Sequence, residues 1–376
     1  MRLRDRIETI MKGDVNASGS WLEAVLKIAS LCYGRGVQLR QAAYARGVFK
    51  TRRLPCTVIA VGNLTVGGTG KTPMTIYLAR LIQNLGLGVV VISRGYGGKS
   101  EKKGGIVCDG RDILMRPDAS GDEPFMIAKQ LETVPVLVGR DRFETGMTAI
   151  RRFGADVILL DDAFQHRKLA RDVDIVLMDA KSPLGNGYLF PRGVLREDKR
   201  ALERSHAVVF TRVETDGSLT NKGLDDLLTG KPVFQSSHQP YIFRAIKANR
   251  SSADTDRVLT RNLEWLSKKQ AFAFSGIARN EDFRNTIKNL GCTIKGFASF
   301  PDHYRYGPQD ITRILDAAVE AKAECMLTTE KDYIRIGDSY CWPMDFVVIG
   351  VQIAFRDDAF DMFVKNRLAR ISAEGN

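Results

Sequence analysis

The run Cys56–Asn63 is apolar and partly β-branched. It leads into the turn Leu64-Thr65-Val66-Gly67-Gly68-Thr69-Gly70, which is followed by Lys71-Thr72-Pro73 and by apolar residues at helical spacing: Met74, Leu78, Leu81, Ile82 and Leu85. Strand, glycine loop and helix in that order strongly constrain the fold. Glycines at 67, 68 and 70 let the backbone curl with its N–H groups inward, at the positive end of the helix that follows, which suits a bound phosphate. Lys71 adds a mobile cation that reaches β- and γ-phosphates, and the Thr72 hydroxyl is placed to hold Mg²⁺. The nucleotide contacts read from this stretch are Gly67, Gly68, Thr69, Gly70, Lys71 and Thr72. Thr65 stands where the full G-x-x-x-x-G-K-[ST] pattern has its first glycine. A glycine turn with a solvated lysine does not explain Gly-Lys-Thr at the start of a helix.

With 376 residues, 44% of them hydrophobic, the chain can bury a large core in two domains or one decorated one. No apolar run is long enough to span a bilayer, and Met1–Arg6 lacks the apolar centre of a signal peptide. Six cysteines without a C-x-x-C pair point to reduced thiols in the cytoplasm and away from a zinc site. The net charge of +12 is unevenly spread: no acid lies between Glu23 and Glu101, while Arg35, Arg40, Arg46, Lys50, Arg52 and Arg53 precede the glycine loop. Such a block favours an anionic partner, whether nucleic acid, lipid or phosphorylated substrate.

Residues Ser20 to about Arg46 read as a helix opened by the capping box Ser20-x-x-Glu23, with Trp21, Val25, Ile28, Ala29 and Cys32 on one face. Periodicity alone leaves two readings open, an interfacial helix lying on a membrane and a surface helix packing its stripe on the core. Further strands are expected at Val89–Ile92, Val134–Val138, Val157–Leu160, Asp174–Asp179 and His206–Thr211, alternating with helices. The fold class predicted is α/β: a P-loop, doubly wound, mostly parallel sheet, a second, smaller α/β domain, and an N-terminal amphipathic helix. The second unit runs through a strand at Gln270–Ser275, helices at Glu281–Leu290 and Pro308–Ala323, and a strand at Cys325–Thr328. The division predicted is 1–50, an N-terminal membrane-associating segment; 51–215, the nucleotide-binding core; and 216–376, the smaller domain.

Two acids, Asp161 and Asp162, end an apolar strand downstream of the glycine loop, the arrangement in which a carboxylate holds Mg²⁺ directly or through water. Asp122, in Gly121-Asp122-Glu123-Pro124, lies where a helix N-cap is expected, and capping alone would account for it. Ser93-Arg94-Gly95-Tyr96-Gly97-Gly98 follows a strand end, where α/β ligands bind. The loop Gly185–Glu197, dense in glycine and arginine, is a functional candidate on length and position.

Together these pieces resemble the lipid A 4′-kinases, or tetraacyldisaccharide 4′-kinases, of Gram-negative bacteria. The resemblance is carried by Gly62-Asn63, Val66–Pro73, Ser93–Gly97, Gly121–Pro124, Asp161–His166, Gly185–Gly187, Leu195–Glu197, Phe300–Tyr304 and Thr328–Asp332, in the family's order over most of the chain. Ala163 departs from the family's usual glycine, and Arg192-Gly193-Val194 from its Ala-Gly-Pro. The resemblance implies transfer of the ATP γ-phosphate to the 4′-hydroxyl of a tetraacylated glucosamine disaccharide 1-phosphate, with Mg²⁺, at the cytoplasmic face of the inner membrane. It implies Asp122 as catalytic base with His303 as partner; judged alone, His303 reads as a structural histidine. Asp161 and Asp162 would serve Mg²⁺, and Arg94, Tyr96, Arg142, Gln165 and Glu197 the acceptor. It also favours the membrane-lying reading of residues 18 to 46, on an anionic inner-membrane surface. No nucleic-acid or obligate protein partner is expected.

A P-loop GTPase or ATPase switch is the rival. Thr329-Glu330-Lys331-Asp332 lacks the residue that N/T-K-x-D needs between Lys and Asp, and Val66 stands where a partitioning ATPase has a lysine. A basic nucleic-acid module explains the charge but neither the paired acids nor the phosphate loop.

Overall fold

The strand before the glycine loop, β1 (Thr57–Asn63), is buried along nearly all of its length, as a strand apolar on both faces must be, and it takes a central place in the sheet. The computed structural model describes residues 3–13, 21–213, 223–248, 262–337 and 340–374. In chain order α1 (Leu3–Lys12) and α2 (Trp21–Ala45) precede β1; then come α3 (Lys71–Asn84), β2 (Val89–Ser93), β3 (Gly105–Cys108), α4 (Pro117–Ser120), α5 (Asp122–Leu131), β4 (Val136–Val138), α6 (Arg142–Phe153), β5 (Val157–Leu160), β6 (Val173–Asp179) and β7 (Ala207–Thr211). The remainder is α7 (Asp225–Leu228), β8 (Val233–Ile246), β9 (Gln270–Ser275), α8 (Asn280–Asn289), β10 (Thr293–Ser299), α9 (Pro308–Glu320), β11 (Cys325–Thr329), α10 (Glu330–Ile336), β12 (Asp345–Phe355) and α11 (Ala359–Glu374).

The twelve strands among the described residues form one sheet in the order β10-β9-β11-β12-β8-β7-β6-β1-β5-β2-β4-β3. It is parallel except for the pairs β3–β4 and β8–β12, so the mostly parallel α/β class predicted from the sequence is the class observed. β8 joins the two halves: Val233–Gln235 pair with β7, and Ser236–Ile246 run antiparallel to β12.

The sequence reading did not find β3, β8, β12 or α11. β8 carries Gln235, Ser236, Ser237, His238, Gln239 and Pro240 and is half-buried along most of its length, so it shows neither an apolar run nor a clean alternation. α11 sends Phe360, Val364 and Leu368 back into the core shared by β1, β2 and α3. The boundary predicted near 215 falls at 214–222, and the capping residue Ser20 at 14–20, both outside the described residues.

α2 buries a narrow stripe, with Leu22 and Leu26 against Ile7 and Ile10 of α1 and Ser30 and Gly34 against the loop 185–197. The Ser30 hydroxyl donates to Leu189 O at 2.6 Å, Arg192 pairs with Glu23, and a Cβ on Gly34 would meet Leu189 Cδ1 at 2.8 Å. The wider apolar face is turned outward: Trp21 is 70% and Ile28 63% exposed, with Val25 and Leu31 also exposed. Among the described residues no helix is long and apolar enough to cross a membrane.

Candidate active site

The glycine loop leaves the end of β1 and is tied down on several sides. Asn63 Nδ2 donates to Thr69 Oγ1 at 2.9 Å, Thr211 Oγ1 to Thr69 O at 3.0 Å, and Arg212 Nη2 to Gly68 O at 2.8 Å. Val66 N donates to Val194 O and Arg196 N to Leu64 O, both at 2.7 Å, so the loop 185–197 forms its outer wall. Gly70 sits at φ 85° with the His238 ring so close that a Cβ would lie 2.6 Å from Nε2. No side chain caps α3, and its positive end opens into the cleft.

Asp161, at the tip of β5, is buried; Thr75 Oγ1 donates to it at 3.0 Å and Ser93 Oγ lies at 3.4 Å. Burial pushes its carboxyl up to about 7, and the charges of Glu123 and Asp162 add to the shift. A divalent cation beside Asp161 and Asp162 would offset their mutual repulsion. Among the described residues no cluster of three or more His, Cys, Asp or Glu forms a metal cage. A cation here would keep water and phosphate ligands, as Mg²⁺ does. Asp162, at φ 46°, is held by Arg196 at 2.9 Å and stands 3.8 Å from Lys71 Nζ.

Across the cleft, Asp122 opens α5, but the N-cap is Gly121 and no side chain caps the helix. The capping account of Asp122 therefore fails: its carboxylate points instead to Arg335 Nε at 2.7 Å and His303 Nδ1 at 3.5 Å. Burial works to raise its pKa, and the charged Arg335 that donates to it works the other way, keeping it below the usual carboxylate range. His303, Asp162 and Arg212 are three of six non-glycine residues with positive φ among those described, and all three line the cleft, where strain tends to collect.

The cleft has a volume of about 2120 Å³ and walls from both halves of the sheet. It brings together Gly67, Gly68, Thr69, Gly70, Lys71, Thr72, Arg94, Tyr96, Asp122, Arg142, Asp161, Asp162, Gln165 and His303. Gln165 Nε2 donates to Asn63 O at 2.8 Å, and Arg94 pairs with Glu101 at 2.6 Å. Arg142 is buried against Gly139 O, with its Nε unpartnered, and burial drops its pKa to about 10.

Glu197 is the exception. It lines no part of the cleft; it is fully buried, and Arg40, Gln41 and Arg204 occupy its oxygens. Its expected place as an acceptor contact is corrected to that of an anchor tying α2 to the loop 185–197.

Residues 22–369 match the family described as tetraacyldisaccharide-1-P 4′-kinase, LpxK. The chain belongs to this family. A tetraacyldisaccharide 4′-kinase of Desulfatibacillum aliphaticivorans is 40% identical over 367 residues, 97% of this chain and 98% of its own length. One from Syntrophus aciditrophicus (strain SB) is 44% identical over 341 residues, 88% of this chain and 89% of its own. LpxK from Aquifex aeolicus, solved in complex with ATP, matches with a TM-score of 0.70 at 32% identity, covering 92% of this chain and 99% of that one.

In this member of the LpxK family, sequence reasoning missed the cations that bind its acids. Arg196 holds Asp162, Lys331 pairs with Glu123 at 2.7 Å, and Arg335 holds Asp122. Lys331 and Arg335 stand at i and i+4 on α10, one helical face, a spacing too common to single them out in the sequence.

Proposed function

We propose that this chain transfers the γ-phosphate of ATP to the 4′-hydroxyl of a tetraacylated glucosamine disaccharide 1-phosphate. The observation that carries the reading is the opening of an uncapped phosphate loop into the same cleft as a paired aspartate and histidine from opposite halves of the sheet. Gly67 to Thr72 bind the nucleotide, and Lys71 balances charge on the β- and γ-phosphates. Thr72, Asp161 and Asp162 would hold Mg²⁺, which supplies charge neutralisation at the phosphates when bound. Asp122 takes the proton of the acceptor hydroxyl, with His303 beside it. Arg94, Tyr96, Arg142 and Gln165 contact the acceptor or its phosphate. Residues 51–215 act as nucleotide-binding core, 216–376 as the smaller domain, and 1–50 as the membrane-associating segment. The outward face of α2 lies on an anionic membrane, where apolar burial and nearby basic residues add. On this reading the enzyme acts peripherally at the cytoplasmic face of a Gram-negative inner membrane.

Radiolabelled ATP offered with the tetraacyldisaccharide 1-phosphate in detergent tests the reading, with Lys71→Ala as control. A labelled bisphosphorylated lipid formed by the wild type, and orders of magnitude less by a folded variant, is expected. ATP binding without transfer to this lipid refutes it.

A further inference from the structure

Arg335 lies between the two members of that pair. Its side chain is 4% exposed and every nitrogen is engaged. Nε donates to Asp122 Oδ2 at 2.7 Å, Nη1 donates to Gly276 O at 2.8 Å and to Asp332 Oδ1 at 3.3 Å, and Nη2 meets His303 Nδ1 at 3.2 Å.

A guanidinium has donors only and keeps its proton. The contact to His303 therefore has one sense: Nη2 donates and Nδ1 accepts. In the neutral ring the proton then sits on Nε2, the nitrogen 3.9 Å from Asp302 Oδ2. Nδ1 also lies 3.5 Å from the Asp122 oxygen that Arg335 holds. In this arrangement the Nδ1 lone pair is taken by Arg335 Nη2, and His303 offers no hydrogen to Asp122.

We propose that Arg335 is a positioning residue that sets the resting state of the pair, holding Asp122 as a carboxylate and His303 as the Nε2–H tautomer. This rests on reading Asp122 as the proton acceptor. When the hydroxyl O–H breaks, an O–H forms on Asp122 and its charge is lost, which weakens the hold of Arg335. Nδ1 has a single lone pair, which accepts from Arg335 Nη2 at rest, so the proton passes to His303 only as that contact opens, the Asp122 O–H breaks and Nδ1–H forms. The half-exposed ring then hands the proton on to water. A ring resting with Nδ1–H would block that path. The other charged groups around the pair are Glu123 next to Asp122, Lys331 and Asp332 on α10, and Asp302 beside His303.

Histidine-selective ¹⁵N spectroscopy of the full chain, assigned with His303→Gln, reads the tautomer directly. Nδ1 unprotonated at neutral pH is expected, and Nδ1–H overturns the proposal without any variant having to fold. In the pH profile of kcat/KM for the lipid, Arg335→Gln should move the acidic limb up by at least about one pH unit, with KM for ATP unchanged. Arg335→Lys, which keeps the charge, should return most of that shift. A uniform loss of rate with an unmoved limb reduces Arg335 to scaffold and overturns the proposal. Full activity in Asp122→Asn would sink the base reading itself, leaving the tautomer result untouched, so the two failures are distinguishable.

Discussion

The side-chain amide of Gln130, on α5, lies 2.9 and 2.8 Å from the two carboxylate oxygens of Glu330, the first residue of α10. Glu330 is buried and also meets the Tyr241 hydroxyl at 3.3 Å. These neutral donors do not recover the cost of desolvation, which pushes its carboxyl up to about 7.

A pH dependence of stability follows, with a definite sign. Below the unfolded value, near 4.5, the group is protonated in both states and its contribution is fully present; as pH rises towards 7 only the unfolded chain ionises, and stability is lost. Glu330→Gln removes that slope. Thermal melts should show the variant gaining on wild type between pH 5 and 8, by up to about 3 kcal/mol. Parallel curves for the two proteins would contradict the assignment.

Glu197 should behave as a buried anchor. Glu197→Ala leaves Arg40 and Arg204 without their carboxylate, and breaking a buried pair costs about 3–5 kcal/mol. A large fall in melting temperature is expected, with KM for the lipid nearly unchanged in whatever fraction stays folded. A raised KM at unaltered stability would return Glu197 to the acceptor site.

Asp122 and His303 should act as one unit. Each alanine variant should lower kcat far more than it raises KM for ATP, and the double variant should be little worse than the worse single one. Strictly additive losses would assign the two residues independent roles.

The outward face of α2 gives a binding prediction. Trp21→Ser with Ile28→Ser removes two exposed apolar side chains that support little of the fold, so the melt should hold while flotation with anionic vesicles falls by roughly tenfold or more. Neutralising Arg52 and Arg53 is a poorer test, because they already pair with Glu144 and Asp172. Undiminished flotation of the apolar double variant would remove α2 from the membrane contact.

What the sequence discloses is what its chemistry keeps local. The glycine loop, Lys71, and the strand ending in Asp161 and Asp162 are each legible within a few residues, and the helix over 21–45 is legible from spacing. Which face of that helix packs is not, because Ser30 and Gly34 are chosen by a loop more than 150 residues away and Leu22 and Leu26 by α1. Glu197 looks like an acid in a glycine-rich functional loop until Arg40 and Gln41 are seen to reach it. Arg335 is ordinary in sequence and becomes informative only when α10 is laid against α5. β8 is hidden because half-exposed strands carry mixed residues on both faces.

The return of α11 to the nucleotide-binding half bears on how the protein is made. The core around β1, β2 and α3 lacks Phe360, Val364 and Leu368 until synthesis has passed residue 368. A nascent chain ending near residue 213 carries the complete phosphate loop but an unfilled groove on the helix layer above it, so that half cannot finish folding ahead of the rest. Chains released short of α11 would carry that gap into the fold, which couples possession of a finished catalytic cleft to translation of α11.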